Sequence, residues 1–236
     1  MTRIDGSTAL VTGGQRGLGE AYVEALLRRG AKKVYATARK PTPSSDPRVE
    51  TLSLEVTDQD SVTALAARAG DVNIVINNAG VLPPETLRGL LGSDMSDIVA
   101  TFETNVFGAL RVARSFAPIL AANGGGALVD MHSVVSWGAG AGAYGASKAA
   151  FWSVTNSLRL ELAEQKTQVV GVHLGFADTD MIAGLPVDKL SPAEVVEAVL
   201  TGLEEGRTEV LVDSASEHFK AALAGPVEGL TLPLPF

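Results

Sequence analysis

A chain of 236 residues, 46% hydrophobic and 19% charged, can build one sizeable core, so a single domain over 1–236 is expected. Its formal net charge of −8 runs against nucleic acid as a partner, and no stretch approaches the ~18 uninterrupted apolar residues of a membrane span. The absence of cysteine excludes disulfides, thiol nucleophiles and cysteine-ligated zinc; with an acid-bearing start, Met1-Thr2-Arg3-Ile4-Asp5-Gly6, that lacks the signal-peptide pattern, it suits a cytoplasmic protein.

Thr8-Ala9-Leu10-Val11-Thr12 is a short apolar run ahead of glycine, the signature of a buried parallel strand. Leu18, Ala21, Tyr22, Ala25 and Leu26 then make one helical stripe that Gly30 ends. A second strand is predicted over 33–37, Pro41, Pro43 and Pro47 mark a loop, and 49–54 alternates as a third strand. Asp58 is placed to cap a short helix carrying Val62, Leu65, Ala66 and Ala69, ahead of a fourth strand over 72–76. Beyond Pro83-Pro84 a single long helix is predicted, with Ile98, Phe102, Val106, Val112 and Phe116 on one side and Gly124-Gly125-Gly126 at its end. A strand over 127–132, a helix from Tyr144 to about 163, a strand over 169–174, a helix opened by Ser191-Pro192 and a strand over 208–212 complete the series. The tail 214–236 receives no assignment. Strands alternating with helices at this spacing predict a doubly wound α/β fold, a parallel sheet of about seven strands with helices on both faces.

Thr12-Gly13-Gly14-Gln15-Arg16-Gly17-Leu18-Gly19 lies between the first strand and the first helix. Glycines there let a phosphate approach the backbone, and the helix start offers it free N–H groups and partial positive charge. About 20 residues further on, such folds place the group that reads the adenosine ribose, an acid for NAD or an arginine for NADP. Here the second strand ends Thr37-Ala38-Arg39-Lys40, and no Asp or Glu lies between Gly30 and Asp46. Arg39, with Arg16 from the glycine loop, therefore predicts NADP(H) as the preferred cofactor and NAD(H) as the weaker one.

Tyr144-Gly145-Ala146-Ser147-Lys148 sets a phenol and an ammonium four residues apart, on one helix face. A free phenol titrates near ~10. A neighbouring cation favours phenolate, and the pair suits a general acid that protonates an oxygen gaining charge. His132 and His173 read as buried, hydrogen-bonded imidazoles and His218 as exposed; three scattered histidines give no metal site. Trp137, Phe176, Met181, Ile182 and Leu185 are the candidates for an apolar substrate pocket.

From its first strand to about Val212 the chain resembles a short-chain dehydrogenase/reductase of the compact, single-domain type, and the resemblance implies a Rossmann-type sheet. The glycine loop is similar to that family's Thr-Gly-x-x-x-Gly-x-Gly, and implies cofactor contacts at Gly13, Gln15, Arg16, Gly17, Leu18 and Gly19. Asn77-Asn78-Ala79-Gly80 resembles its second signature, which implies Asn78, Ala79 and Gly80 beside the adenine ribose. Glu55 and Val56 fall where the family contacts adenine, with Glu in place of the usual Asp. Asn105, in Thr104-Asn105-Val106-Phe107-Gly108, falls at the family's helix asparagine. Ser133, Tyr144 and Lys148 complete the implied catalytic set, with Ser136 a rival for the serine because the intervening loop is about two residues short. Gly175-Phe176-Ala177-Asp178-Thr179 resembles the nicotinamide segment, which adds Gly175 and Thr179, although Leu174 stands where proline is usual.

The implied activity is hydride transfer between NADP(H) and a small or medium apolar ketone or aldehyde, or the corresponding alcohol. The resemblance also implies a homodimer or homotetramer, formed where the helix bearing Phe102, Val106 and Phe116 and the helix bearing Tyr144, Phe151, Trp152 and Leu158 pair across a two-fold axis. Two other readings fit the same fold. One is a non-catalytic NAD(P)-binding regulator or scaffold, against which the full Asn-Ser-Tyr-Lys set argues. The other is a nucleotide-sugar epimerase or dehydratase, for which the chain is short.

Overall fold

The computed structural model of the chain describes residues 1–84 and 89–232. Within them, β1 (Thr8–Val11), β2 (Lys33–Ala38), β3 (Val49–Ser53), β4 (Ile74–Asn77), β5 (Ala127–Met131), β6 (Gln168–His173) and β7 (Glu209–Leu211) make one seven-stranded sheet. Its order is β3-β2-β1-β4-β5-β6-β7 and every pair is parallel. The strands read as continuous apolar runs because both sheet faces are covered.

Alternation of side chains divides the core into two layers. Ala9, Val11, Ile74, Ile76, Ala127 and Val129 join the layer under α1 (Gly17–Arg28) and α6 (Pro192–Glu204). Leu10, Val75 and Leu128 join the layer under α2 (Gln59–Arg68), α4 (Ala109–Ala122) and α5 (Gly142–Glu161). The caps follow the expected chemistry: Asp58 accepts from the Asp60 amide, and Ser191 and Glu194 form a reciprocal capping box behind Pro192. Since β1 lies between β2 and β4, the crossovers run in opposite directions on either side of it, which opens a crevice at the carboxyl ends of these strands.

The predicted long helix is in fact three pieces. α3 (Met95–Phe102) passes into a π-helical turn, Glu103–Gly108, before α4 begins. Sequence periodicity cannot show one extra residue per turn, and a π turn inside a helix often marks a functional position. Two packing features lie in it: Asn105 is gripped by the Val81 main chain, and a Cβ on Gly108 would fall 2.7 Å from Val56 Cγ2.

The unassigned tail also has structure. Asp213 caps α7 (Ser214–Ala222), and the chain then returns so that the Ala139 amide donates to Leu230 and the Leu232 amide to Ala139, at 2.7 and 3.0 Å. Residues 233–236 of that tail lie outside the described residues. No helix among the described residues is long and apolar enough to cross a membrane.

Candidate active site

The glycine loop is shaped by close approach. Gly13 and Gly17 take φ of 66° and 54°, in the left-handed region that favours glycine. A Cβ on Gly19 would lie 2.0 Å from the Gly13 carbonyl oxygen, so no other residue fits there. Arg16 precedes α1 without a side-chain cap, which leaves the first-turn amides open toward the crevice. That cradle fits a pyrophosphate.

Asn77-Asn78-Ala79-Gly80 follows β4 and braces this loop through Thr12. The Asn78 and Ala79 amides donate to Thr12 Oγ1 at 3.0 and 2.9 Å, and Asn78 Nδ2 donates to the Thr12 carbonyl at 2.9 Å. The Gln15 amide is tied to the Thr42 main chain by two hydrogen bonds, so only its backbone is left for a phosphate. Glu55 folds back on Thr57, while Val56 is buried against Gly108. Leu18 packs against the core, and Arg16 and Arg39 are exposed.

Ser133 follows β5 and Tyr144 begins the second residue pair of α5, and the two meet. The Ser133 side chain is close enough to the Tyr144 phenol to act on its titration and accepts the Val135 amide at 3.4 Å, whereas Ser136 Oγ accepts the Ser133 amide at 3.4 Å as part of a capping box. Of the two serines, Ser133 is the one that acts on the Tyr144 phenol. Lys148 is buried, donates from Nζ to the Met131 carbonyl at 2.8 Å, and lies 5.7 Å from the Tyr144 ring centroid. Asn105 receives the Val81 amide at 2.8 Å and donates to the Val81 carbonyl and Ser147 Oγ. A Cβ on Gly80 would lie 3.3 Å from Asn105 Oδ1 and 3.8 Å from Lys148 Nζ, so three predicted residues converge there.

The electrostatics differ from the sequence expectation in one respect. Burial pushes the Tyr144 phenol up to about 12, and the hydrogen bond from Ser133, not Lys148, is what opposes it. Burial pushes Lys148 down to about 8, with Asp130 pulling the other way. Asp130 itself is pushed up to about 6 by burial, against hydrogen bonds from Thr155 Oγ1 at 2.7 Å and Asn77 Nδ2 at 2.9 Å. A carboxylate in the middle of an apolar strand was the sequence signal that could have singled out Asp130.

Thr179 faces the glycine loop, since a Cβ on Gly17 would lie 3.2 Å from Thr179 Cγ2, whereas Gly175 packs against Asp213 and Ala215. Leu174 stands in place of proline at the head of this segment. It is buried in the core, and the Gly175 amide donates to Asp213 Oδ2 at 2.7 Å. Asp213 Oδ1 meanwhile caps α7 through the Ser216 amide and hydroxyl. Its signal was an Asp-x-x-Ser N-cap at the edge of the unassigned tail.

Of the pocket candidates, Trp137 is buried and stacked on His173 with ring centroids 3.8 Å apart, so it is core and not wall. Phe176, Ile182 and Leu185 are partly exposed and Met181 is exposed. His132 is buried as expected, but both its ring nitrogens lack a protein hydrogen-bond partner.

With this geometry in place, comparison with known proteins is informative. The sequence profile of the family described as short chain dehydrogenase matches residues 7–189. A 3-oxoacyl-[acyl-carrier-protein] reductase from Salmonella typhimurium is 32% identical over 216 residues, covering 86% of this chain and 87% of the relative. A sorbitol dehydrogenase from Cereibacter sphaeroides is 33% identical over 188 residues, covering 75% and 72%. Among solved structures, a short chain dehydrogenase from Burkholderia cenocepacia J2315 in complex with NADP superimposes with a TM-score of 0.90 at 37% identity, covering 97% of each chain.

Proposed function

We propose, from the premise that this chain belongs to the short-chain dehydrogenase family, that it is an NADP(H)-dependent oxidoreductase interconverting a carbonyl and an alcohol. The observation that carries this reading is the Ser133 hydroxyl set against the Tyr144 phenol, with Lys148 buried one turn along α5. The glycine cradle, Gly175 and Thr179 would hold NADP(H), which would supply or accept the hydride. The substrate oxygen then lies between Ser133 Oγ and Tyr144 Oη, and the phenol delivers its proton as the oxygen gains charge. Donors aimed at that charge lower the barrier because they are already oriented before it forms.

Lys148 keeps a positive charge beside this proton path at neutral pH and loses it as the pH rises through about 8. Its ammonium would hydrogen-bond the nicotinamide ribose. Both Asn105 Nδ2 hydrogens are taken by Val81 and Ser147, and Oδ1, which accepts the Val81 amide, keeps a second acceptor site with which it would hold a water that refills the proton. Phe176 and Leu185, both partly exposed, would give the pocket apolar walls, which suits a small or medium apolar ketone or aldehyde. The likeness to a 3-oxoacyl reductase adds 3-oxoacyl thioesters to the classes worth testing.

The test is NADPH oxidation with a methyl ketone, an aliphatic aldehyde, ethyl acetoacetate and an acetoacetyl thioester, for the wild type and for Tyr144→Phe. At least one carbonyl should be reduced, and the Phe variant should bind NADPH normally yet lose on the order of 100-fold or more in kcat. A Phe variant that keeps more than about a tenth of the rate, a penalty under ~1.4 kcal/mol, removes Tyr144 as the acid. Tight NADPH binding with no carbonyl reduced by the wild type points instead to a cofactor-binding regulator.

A further inference from the structure

We propose that His173 is a positioning residue for this reaction: its Nδ1–H holds the Ser133 main chain, and so places the hydroxyl that faces Tyr144. The inference rests on the proposed function only in giving Ser133 a role at the substrate oxygen.

His173 ends β6 and is fully buried, with Nδ1 3.3 Å from the Ser133 carbonyl oxygen. A carbonyl oxygen only accepts, so the proton belongs on Nδ1 and the ring is the Nδ1–H tautomer. The same oxygen accepts the Ser136 amide at 3.0 Å, and the next amide along, Val134, donates to the Leu174 carbonyl at 2.9 Å. The Ser133–Val134 peptide is therefore held on both its faces where β5 has ended and regular ladder bonds give out. The imidazole supplies one of those anchors.

The ring is itself clamped. Trp137 stacks on it with centroids 3.8 Å apart and planes 19° apart, and His132 lies 4.9 Å away on β5's continuation. Burial pushes the ring's pKa down to about 3; the Ser133 bond opposes this, and Lys220, Lys148 and Arg159 reinforce it. Glu209, from β7, lies 3.9 Å from Nε2, but its carboxylate is already paired with Lys220 at 2.9 Å. His173 therefore stays neutral across the working range, and its donor persists. One residue thus ties the serine's peptide to the Trp137 plane, two residues before the loop that leads to Tyr144.

Two variants separate the donor from the ring. His173→Asn keeps an N–H near the Nδ1 position and loses the stack; His173→Phe keeps the stack and loses the donor. In steady-state reduction of ethyl acetoacetate by NADPH, His173→Phe should lose about ten- to a hundredfold in kcat, because misplacement of this order degrades a reacting geometry, while Kd for NADPH holds. His173→Asn should stay within about threefold of wild type, a difference under ~0.7 kcal/mol. Hydrogen exchange over 133–141 should quicken in the Phe variant alone, and nitrogen-correlated NMR of the wild-type imidazole should show Nδ1–H. An Nε2–H tautomer, wild-type kcat in the Phe variant, or an Asn variant as impaired as Phe each overturns the proposal. If ethyl acetoacetate is not reduced at all, the failure lies with the proposed function, and the tautomer and exchange measurements still decide for or against His173. If the Phe variant does not fold, the tautomer and the Asn variant decide it.

Discussion

At the scale of single residues, cofactor choice is set by what stands at the end of β2. An acid there accepts two hydrogen bonds from a ribose diol and repels a 2′-phosphate, whereas Ala38-Arg39 does neither. The exposed Arg39 guanidinium would meet a 2′-phosphate with paired, charge-assisted bonds, and Arg16, also exposed, lies in the glycine loop. Such bonds contribute on the order of 1.5–3 kcal/mol each, less where water reaches them. Two exposed contacts should favour NADP over NAD by roughly ten- to a thousandfold in kcat/KM, and the preference should shrink as salt screens the arginines. Ala38→Asp/Arg39→Ala should reverse it. A wild type that prefers NAD, or a ratio the double change leaves unmoved, would make Arg39 a solvated surface charge. These residues were legible in the sequence because a strand end and a glycine loop fix their place. The roles of His173, Asp130 and Asp213 were not, because they arise from neighbours 25 to 53 positions away, such as Ser133 for His173, Thr155 and Asn77 for Asp130, and Gly175 for Asp213.

At the scale of elements, strands and helices were legible wherever one periodicity ran uninterrupted, and their ends moved by a residue or two. Two features were hidden. The π turn at Glu103–Gly108 shifts the apolar stripe partway along what reads as one helix. α7 carries too weak a stripe, with only Ser216 and Phe219 buried, to stand out in a glycine- and proline-rich tail. The same helices bear on assembly. Phe116, Phe151, Val106 and Leu158, which the sequence offered as surplus apolar surface, are consumed inside the chain. What remains for a partner is Met95 at 69% exposure and Val99 at 58% on α3, Phe107 at 47% on the π turn and Leu160 at 80% on α5. A second copy of this chain paired there would remove that surface from water at about 25 cal/mol per Å² of apolar area. Light scattering at micromolar concentration should therefore give twice or four times 24.4 kDa, and Phe107→Lys with Leu160→Lys should give the single-chain mass. A wild-type monomer would remove the prediction.

At the scale of the whole molecule, the buried ionisable groups under α5 make stability depend on pH with a predictable sign. His132 and His173 are held neutral in the fold, mainly by burial, His132 well below its usual value and His173 at about 3. In the unfolded chain each regains ~6.5. Unfolding therefore takes up nearly two protons between pH ~6.5 and ~5, and stability falls as the pH falls through that window. Asp130 acts in the opposite sense. Its folded value is raised to about 6, so over the same window the folded chain holds up to one proton more than the unfolded one, whose carboxyl titrates near ~3.9. Two protons against one leave about one, or ~1.4 kcal/mol lost per pH unit of acidification. Urea unfolding at pH 7, 6 and 5 reads this slope directly. His132→Leu isolates its source. The imidazole has no protein partner for either nitrogen and packs 4.8 Å from the Phe151 ring, so leucine forfeits no hydrogen bond and relieves a buried polar group. That variant should be nearly flat between pH 6.5 and 5 and more stable than wild type at pH 5. A wild-type stability that does not change over this range would mean that these histidines take up protons inside the fold, and that the layer beneath α5 is open to water.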